Sequence, residues 1–472
     1  MKVEQIYTGC LAHGAYFIES EGEVAIIDPL REVEPYIQKA AKDGATIKYV
    51  FETHFHADFV SGHIDLGNKT GAKIVYGPNA ACQFNCYSAT DGEIFPLGKI
   101  KIKVIHTPGH TMESSCFLLI DENGKNHSLF TGDTLFIGDV GRPDLAQKVV
   151  AELTEDKLAG YLYDSIHEKL MPLEDDIIVY PGHGAGSACG KNMSKETTDT
   201  LGNQKKHNYA LNPALTKEEF KKEVLTGLVP PPAYFPLNVM MNIQGYESID
   251  AVMERGKQAL EPNVFETVAE ETDALILDTR EPSVFIQGFI PNSINIGIDG
   301  NFAPWVGALI PDIKQSILII TDEGREQEVI TRLARVGYDY TIGYLKGSFN
   351  AWKAAGKAVD TISSITPEAL YALTQEASPK IFDVRKKSEY DSERILITEN
   401  APLDFINDSM ALINKDETVY IHCQSGYRSV IFNSILRARG YNNLIDVTGG
   451  FKALKDSRKF AVSEYVCPST LL

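Results

Sequence analysis

The sequence lacks any run of 18 apolar residues, so no stretch reads as a membrane-spanning helix. Its N-terminus lacks the charged, apolar and small-residue succession of a secretory leader, and residues 3–7 already alternate like a strand. Basic residues are in deficit, 45 against 64 acidic ones, for a net charge of −19. That balance argues against a nucleic-acid partner or an anionic membrane surface. It also means that an anionic substrate must be drawn by local groups, such as Arg142 or Arg428. Cysteine is scarce: the seven present are scattered, odd in number and without disulfide-framework spacing, which points to a reducing cytoplasm. The paired spacing of Cys82 and Cys86 is read as core packing. With 472 residues there is chain enough for two to four domains, each with its own core.

What is present is a dense cluster of metal-ligating side chains. His54-Phe55-His56-Ala57-Asp58-Phe59 follows an apolar, strand-like run at residues 47–53. Two imidazoles and a carboxylate in so short a space destabilise a fold unless something organises them, and the usual organiser is a metal. Three more candidates follow: His110 in Gly109-His110-Thr111, Asp133 in Gly132-Asp133-Thr134, and His183 in Pro181-Gly182-His183. Each lies just past an apolar run and beside a glycine. The recurrence predicts four strand ends converging on one rim, where loops carry the chemistry. Strands are also expected at residues 23–28 and 72–76, and helices at 33–43 and 150–170.

The order H-x-H-x-D, G-H-T, G-D-T, P-G-H resembles the metallo-β-lactamase superfamily. Within it the chain is most similar to the persulfide dioxygenases, through Ser61-Gly62-His63 and the segment from Phe136 through Val140-Gly141-Arg142-Pro143-Asp144-Leu145. The resemblance implies an αββα sandwich over residues 1–240 holding one Fe(2+) per chain on His54, His110 and Asp133. This 2-His-1-carboxylate face leaves positions open. His56, Asp58 and His183 would orient the ligands and bound water. Phe59 stands where two-metal relatives carry a ligand, and it cannot ligate. Arg142 and Cys189 are weaker candidates for contact with substrate.

A proline-rich segment at residues 229–236 reads as an ordered connector. Beyond it the chain repeats once. Leu275-Ile276-Leu277-Asp278-Thr279-Arg280 recurs as Lys380-Ile381-Phe382-Asp383-Val384-Arg385, and Gly347-Ser348-Phe349 matches Gly449-Gly450-Phe451. Two tandem α/β domains are expected, at residues 245–360 and 361–472. In the second, a strand at residues 419–422 runs into Cys423-Gln424-Ser425-Gly426-Tyr427-Arg428-Ser429, with a helix from about Val430. A cysteine at such a strand-to-helix turn faces backbone N–H groups, and the helix dipole and Arg428 favour a thiolate or bound anion. The loop resembles the rhodanese active site, and its tight spacing favours sulfane sulfur over phosphate. Cys423 and Arg428 are the catalytic candidates. Aligning Gly324 with Gly426 puts Thr321 where Cys423 stands, so the middle copy reads as a rhodanese-like domain without a nucleophile.

The resemblances together imply that a low-molecular-weight thiol persulfide and O2 give sulfite and thiol. Sulfane sulfur on Cys423 then converts sulfite to thiosulfate. A homo-oligomer is expected from the same resemblance. The rivals are a two-zinc thioester hydrolase of the glyoxalase II kind and a sulfur carrier whose metal domain is only a scaffold.

Overall fold

The computed structural model describes residues 1–145, 153–228 and 230–467. Contacts divide the chain into two units, one of Met1–Ala251 with Ala334–Gly337, the other of Val252–Leu333 with the chain from Tyr338 onward.

The first unit is built on two six-stranded sheets. In one, Lys2–Thr8, His13–Ser20, Glu23–Ile27, Thr46–Glu52, Lys73–Tyr76 and Tyr87–Ser88 lie side by side in that order. In the other the order is Asp199–Thr200, Ile178–Pro181, Asn126–Gly132, Ser115–Ile120, Ile100–His106 and Ile94–Leu97. The sheets pack face to face through Tyr16, Ile27, Phe51 and Val75 against Ile102, Phe117, Leu119 and Phe130. Their outer faces are covered by helices. Tyr36 and Ala40 of Glu34–Lys42 and Leu66 of His63–Thr70 cover one sheet; Ala159, Leu162, Phe220 and Val224 cover the other. The architecture is the expected αββα sandwich.

Thr46–Glu52 shows how sequence sets these layers. Tyr49 and Phe51 face the inter-sheet core, while Ile47 and Val50 face the helices. Strict alternation would put Ile47 with Tyr49. The pairing slips at Lys48, so that Val24 opposes Ile47 and Ala25 opposes Tyr49. One extra residue in the strand resets which face is buried.

The helix expected over residues 150–170 begins outside the described residues. Within them it runs over Glu155–Asp164, capped by the Thr154 side chain, and continues as a π-helical turn at Ser165–Leu170. Val229 of the proline-rich connector likewise lies outside the described residues, and the segment ends in the helix Phe235–Gln244. Cys82 and Cys86 pack against the apolar cluster of Phe55, Ile74 and Tyr76, as expected, and they also form a disulfide that the sequence reading did not include, the turn between them bringing their Cα atoms to 6.5 Å.

The second unit holds two five-stranded sheets of one topology. Their orders are Ala259–Leu260, Thr341–Leu345, Ile317–Ile320, Leu275–Asp278, Ile294–Asn295 and Ser363–Ile365, Leu444–Val447, Val419–His422, Lys380–Asp383, Glu399–Asn400. Every pairing is parallel. No helix among the described residues is long and apolar enough to cross a membrane.

Candidate metal centre and cysteine loop

The ends of four strands, Thr46–Glu52, Ile100–His106, Asn126–Gly132 and Ile178–Pro181, carry the loops of His54, His110, Asp133 and His183. The approach is close. Gly132 has φ of 49°, and a Cβ there would stand 2.5 Å from Thr53 Oγ1. A Cβ on Gly182 would stand 2.7 Å from Asp133 Oδ1. The glycines beside the ligands are therefore required by space.

His54, His110 and Asp133 are buried and present donor atoms within 4.8 Å of one another. Asp133 Oδ2 lies 3.8 Å from His54 Nε2 and 3.6 Å from His110 Nε2. Both ring orientations are set from behind. His110 Nδ1 is 2.8 Å from the Arg142 carbonyl oxygen, which can only accept. The proton therefore sits on Nδ1, and Nε2 carries the lone pair. For His54 the backing is a chain. Thr53 Oγ1 donates to Asp28 Oδ2 at 2.8 Å and so accepts from His54 Nδ1 at 2.9 Å. Asp133 Oδ2 is buried without a hydrogen-bond partner. Two imidazole lone pairs and an orphaned carboxylate oxygen fit a cation, since a buried unpaired carboxylate oxygen is otherwise strongly unfavourable.

His183 bridges two carboxylates, with Nδ1 2.8 Å from Asp133 Oδ1 and Nε2 2.9 Å from Asp58 Oδ2. Burial opposes its charge, but Asp133 and Asp58 hold its imidazole well above the ordinary value. With a carboxylate at each side, both ring nitrogens are placed to donate. His183 also pulls Asp133 below the ordinary carboxylate value against the effect of burial. Cys189 lies beside Asp58 and His183, within 4.8 Å by donor atoms. Burial, with Asp58 and Asp133, pushes its thiol well up, so it is not a thiolate. The Phe59 ring packs 4.3 Å from His13 and 4.4 Å from His56.

His56 turns away from the ligand trio. Its Nε2 is 3.1 Å from Asp28 Oδ1 and 3.4 Å from Glu52 Oε2. Burial works against the charge, but Asp28 and Glu52 push this imidazole up to about 10. Asp28 thus links His56 to Thr53 and on to His54. Asp28 was not among the residues singled out from sequence, and Thr53 figured only as the first residue of the Thr53-His54-x-His56 match. The available signal was the position of Asp28 at the end of an apolar strand.

The expectation that Arg142 contacts substrate is corrected. Its side chain is buried, with Nε and Nη2 donating to Asp144 at 2.8 and 2.5 Å and Nη1 to the Ala188 carbonyl at 3.3 Å. The guanidinium ties its own loop, whose carbonyl orients His110, to the segment of Ala188.

In the last copy Cys423 ends the strand Val419–His422 and is 1% exposed. The Gly426 amide donates to its Sγ at 3.1 Å. The helix begins at Tyr427, earlier than expected, because Gly426 at φ of 112° starts it. Arg428 sits at its first turn, engaged by Glu389 through two contacts of 2.5 and 2.9 Å. Sequence reasoning missed Glu389. The neighbouring Tyr427 leaves the loop and enters the middle copy. Its hydroxyl donates to the Gly297 carbonyl at 2.7 Å, and its ring fills the space where Gly300 would carry a Cβ. Val430 packs with Phe285, Phe289 and Ile362. Thr321 is buried at the corresponding turn of the middle copy, and Gly324 has φ of 89°.

Residues 8–85 match the metallo-beta-lactamase superfamily, and residues 261–355 and 366–457 match the rhodanese-like domain. The chain is 33% identical over 165 residues to a probable hydroxyacylglutathione hydrolase of Schizosaccharomyces pombe, over 34% of this chain and 58% of that one. It is 30% identical over 227 residues to the human mitochondrial persulfide dioxygenase ETHE1, over 47% of this chain and 79% of that one. Against a crystal structure of a metallo-beta-lactamase from Staphylococcus aureus it gives a TM-score of 0.64 at 32% identity, over 73% of this chain and 99% of that one. The chain belongs to the metallo-β-lactamase superfamily and carries two rhodanese-like domains after its metal-site fold.

Proposed function

We propose that the first unit is a persulfide dioxygenase and that the last copy is a sulfurtransferase. The first would convert R–S–SH, O2 and water to R–SH and sulfite. The second would place a sulfane sulfur on Cys423 and hand it to sulfite, giving thiosulfate. The observation that carries this reading is the state of the would-be second metal position. His183 has both nitrogens engaged as donors to Asp133 and Asp58, and Phe59 occupies the neighbouring space. That favours one ion on His54, His110 and Asp133 over the pair a thioester hydrolase uses.

A ferrous ion held there would supply the redox chemistry between O2 and a sulfur anion. The protein's own part is to fix the ligands. The Arg142 carbonyl and the Asp28–Thr53 pair keep both Nε2 lone pairs turned inward. His183, held between its two carboxylates, keeps Asp133 ionised and in place. In the last copy, the Cys423 sulfur attacks the outer sulfur of a persulfide, forming an S–S bond as R–S⁻ leaves. Sulfite then attacks that outer sulfur and Cys423 departs as thiolate. The Gly426 amide stabilises that thiolate at both steps.

The test is oxygen consumption by iron-loaded full-length protein given a thiol persulfide, with metal analysis beside it. Persulfide-dependent uptake at about one iron per chain is expected. Two zinc ions per chain with thioester hydrolysis would instead support the hydroxyacylglutathione hydrolase reading, which Asp58, His183 and Cys189 would then serve as a second metal site.

A further inference from the structure

Five of the seven cysteines are outside any disulfide. Cys116 and Cys189 are buried, Cys423 is the transferase candidate, Cys467 is exposed, and Cys10 meets Arg335 Nη1 at 3.6 Å. Cys82 and Cys86 differ. They are bonded to each other, and both are half-buried on an otherwise exposed turn, with Gln83 and Asn85 open to solvent.

The turn is also close to the metal centre. Phe84, between the two cysteines, packs its ring 4.9 Å from His63, whose Nδ1 lies 3.6 Å from Glu52. Both cysteines lie against the apolar cluster of Phe55, Ile74 and Tyr76. Phe55 is the residue between His54 and His56. The Gln83 amide donates to the Ile243 carbonyl at 2.8 Å, which fixes the turn to the helix Phe235–Gln244. The turn thus holds two adjacent, half-buried sulfurs and is anchored from its backbone.

We infer that Cys82 and Cys86 form a second sulfur-accepting site that reduces a thiol persulfide to sulfide. The inference takes its co-reactant from the persulfide reading above. One thiol, as its thiolate, attacks the outer sulfur of R–S–SH; a new S–S bond forms and R–SH leaves. The second thiol then attacks the inner sulfur of the resulting Cys–S–SH. The Cys82–Cys86 bond forms and hydrogen sulfide departs. The sulfane sulfur is reduced by two electrons, and the dithiol is oxidised to the bonded state seen in the structure. Two equivalents of a low-molecular-weight thiol reopen the pair by exchange and leave as their own disulfide.

The experiment uses full-length Cys423→Ser protein, so that the transferase cysteine takes no sulfur. It is reduced, freed of reductant under nitrogen and given glutathione persulfide. The expected result is one sulfide per chain, with loss of 2 Da and of both alkylatable thiols in the peptide carrying residues 82–86. With Cys82→Ser or Cys86→Ser added, sulfide release disappears and the remaining thiol gains 32 Da. The inference is overturned if the unaltered turn stops at the 32 Da adduct, or if both serine variants release as much sulfide as their parent. Oxygen is absent, so the outcome is independent of dioxygenase activity. Closure of the pair without oxygen uptake in a parallel aerobic assay would remove the dioxygenase reading and leave this one standing.

Discussion

In the middle copy, Arg280 donates through Nε and Nη2 to Asp278 at 2.9 and 2.6 Å and to the Gly288 carbonyl at 3.0 Å. In the last copy, Arg385 donates to Asp383 at 3.0 and 2.6 Å and to the Glu393 carbonyl at 2.8 Å. Asn295 and Asn400 clamp the two carbonyls of their own Asp-x-Arg turns in the same way. Arg280 lies 4.3 Å above the Phe349 ring and Arg385 3.9 Å above Phe451. The two frames share these contacts, and Arg385 adds one from Nη1 to Gln424 at 3.4 Å. The loops differ. Where the last copy has Cys423 and Arg428, the middle copy has Thr321 and the acidic Asp322, Glu323 and Glu326. A buried ion pair with matched carbonyl acceptors serves folding, so losing one partner is severe whether or not the domain is catalytic. A loop nucleophile serves only chemistry. The middle copy shares the first class of residue and has Thr321 in place of the second.

The sharpest way to break that comparison is to exchange the residues at the turn. Cys423→Ser should lower persulfide-to-sulfite sulfur transfer on the order of a thousand-fold or more, the scale expected for loss of a nucleophile. Adding Thr321→Cys to it should restore nothing, because three carboxylates repel the anionic substrate. Recovered thiosulfate formation would mean that the loops differ in the nucleophile alone.

The frames can be compared by removing the same arginine from each. Arg280→Ala and Arg385→Ala should each destabilise their own copy by about 3–5 kcal/mol, since each strands a buried carboxylate. The chain's only two tryptophans, Trp305 and Trp352, lie in the middle copy, so their fluorescence in urea reports it. Alkylation of Cys423 reports the last. A cost in one copy and none in the other would show that the matching geometry does not reflect matching roles.

A pH effect is expected in the last copy from Asp446. Burial pushes the Asp446 carboxyl up to about 6 from an ordinary 3.8. The folded state then holds a proton that the unfolded chain releases, so stability falls as pH rises from about 4 to about 6 and is level above. The whole difference is about 3 kcal/mol at most. Asp446→Asn should match wild type near pH 4 and exceed it at pH 7 in the alkylation midpoint of Cys423. An unchanged slope would mean that Asp446 ionises normally.

The smallest effect should come from Thr321→Ala. The Thr321 hydroxyl is buried without a hydrogen-bond partner. Its removal should leave oxygen uptake and sulfur transfer within about twofold of wild type and stability unchanged or slightly raised. A large loss of either activity would give the middle copy a chemistry of its own.

The metal loops and the cysteine turn were legible in the sequence because their signals are local. An apolar run, a glycine and a ligand type fall within a few residues at His54, His110, Asp133, His183 and Cys423. The groups that set these side chains come from elsewhere in the chain. Asp28 reaches Thr53 across 25 residues, and Glu389 reaches Arg428 across 39. Arg142 misled for a related reason. Its partner Asp144 is two residues away, but only the packed loop shows that the guanidinium is buried. The start of the helix at Tyr427 was missed because it depends on the left-handed backbone that Gly426 adopts.

That insertion of Tyr427 against Gly297 and Gly300 bears on ancestry and on handling. A duplicate that loses its nucleophile would ordinarily be free to decay or be deleted. Here a gene that dropped it would leave a tyrosine and the apolar Val430 without a socket, on the helix that follows the Cys423 turn. Duplication followed by intimate packing works as a ratchet, easy to enter and hard to reverse. Anyone excising the last copy to study it alone should expect an adhesive fragment with a loosened catalytic turn, even though the missing portion carries Thr321 where this one carries Cys423.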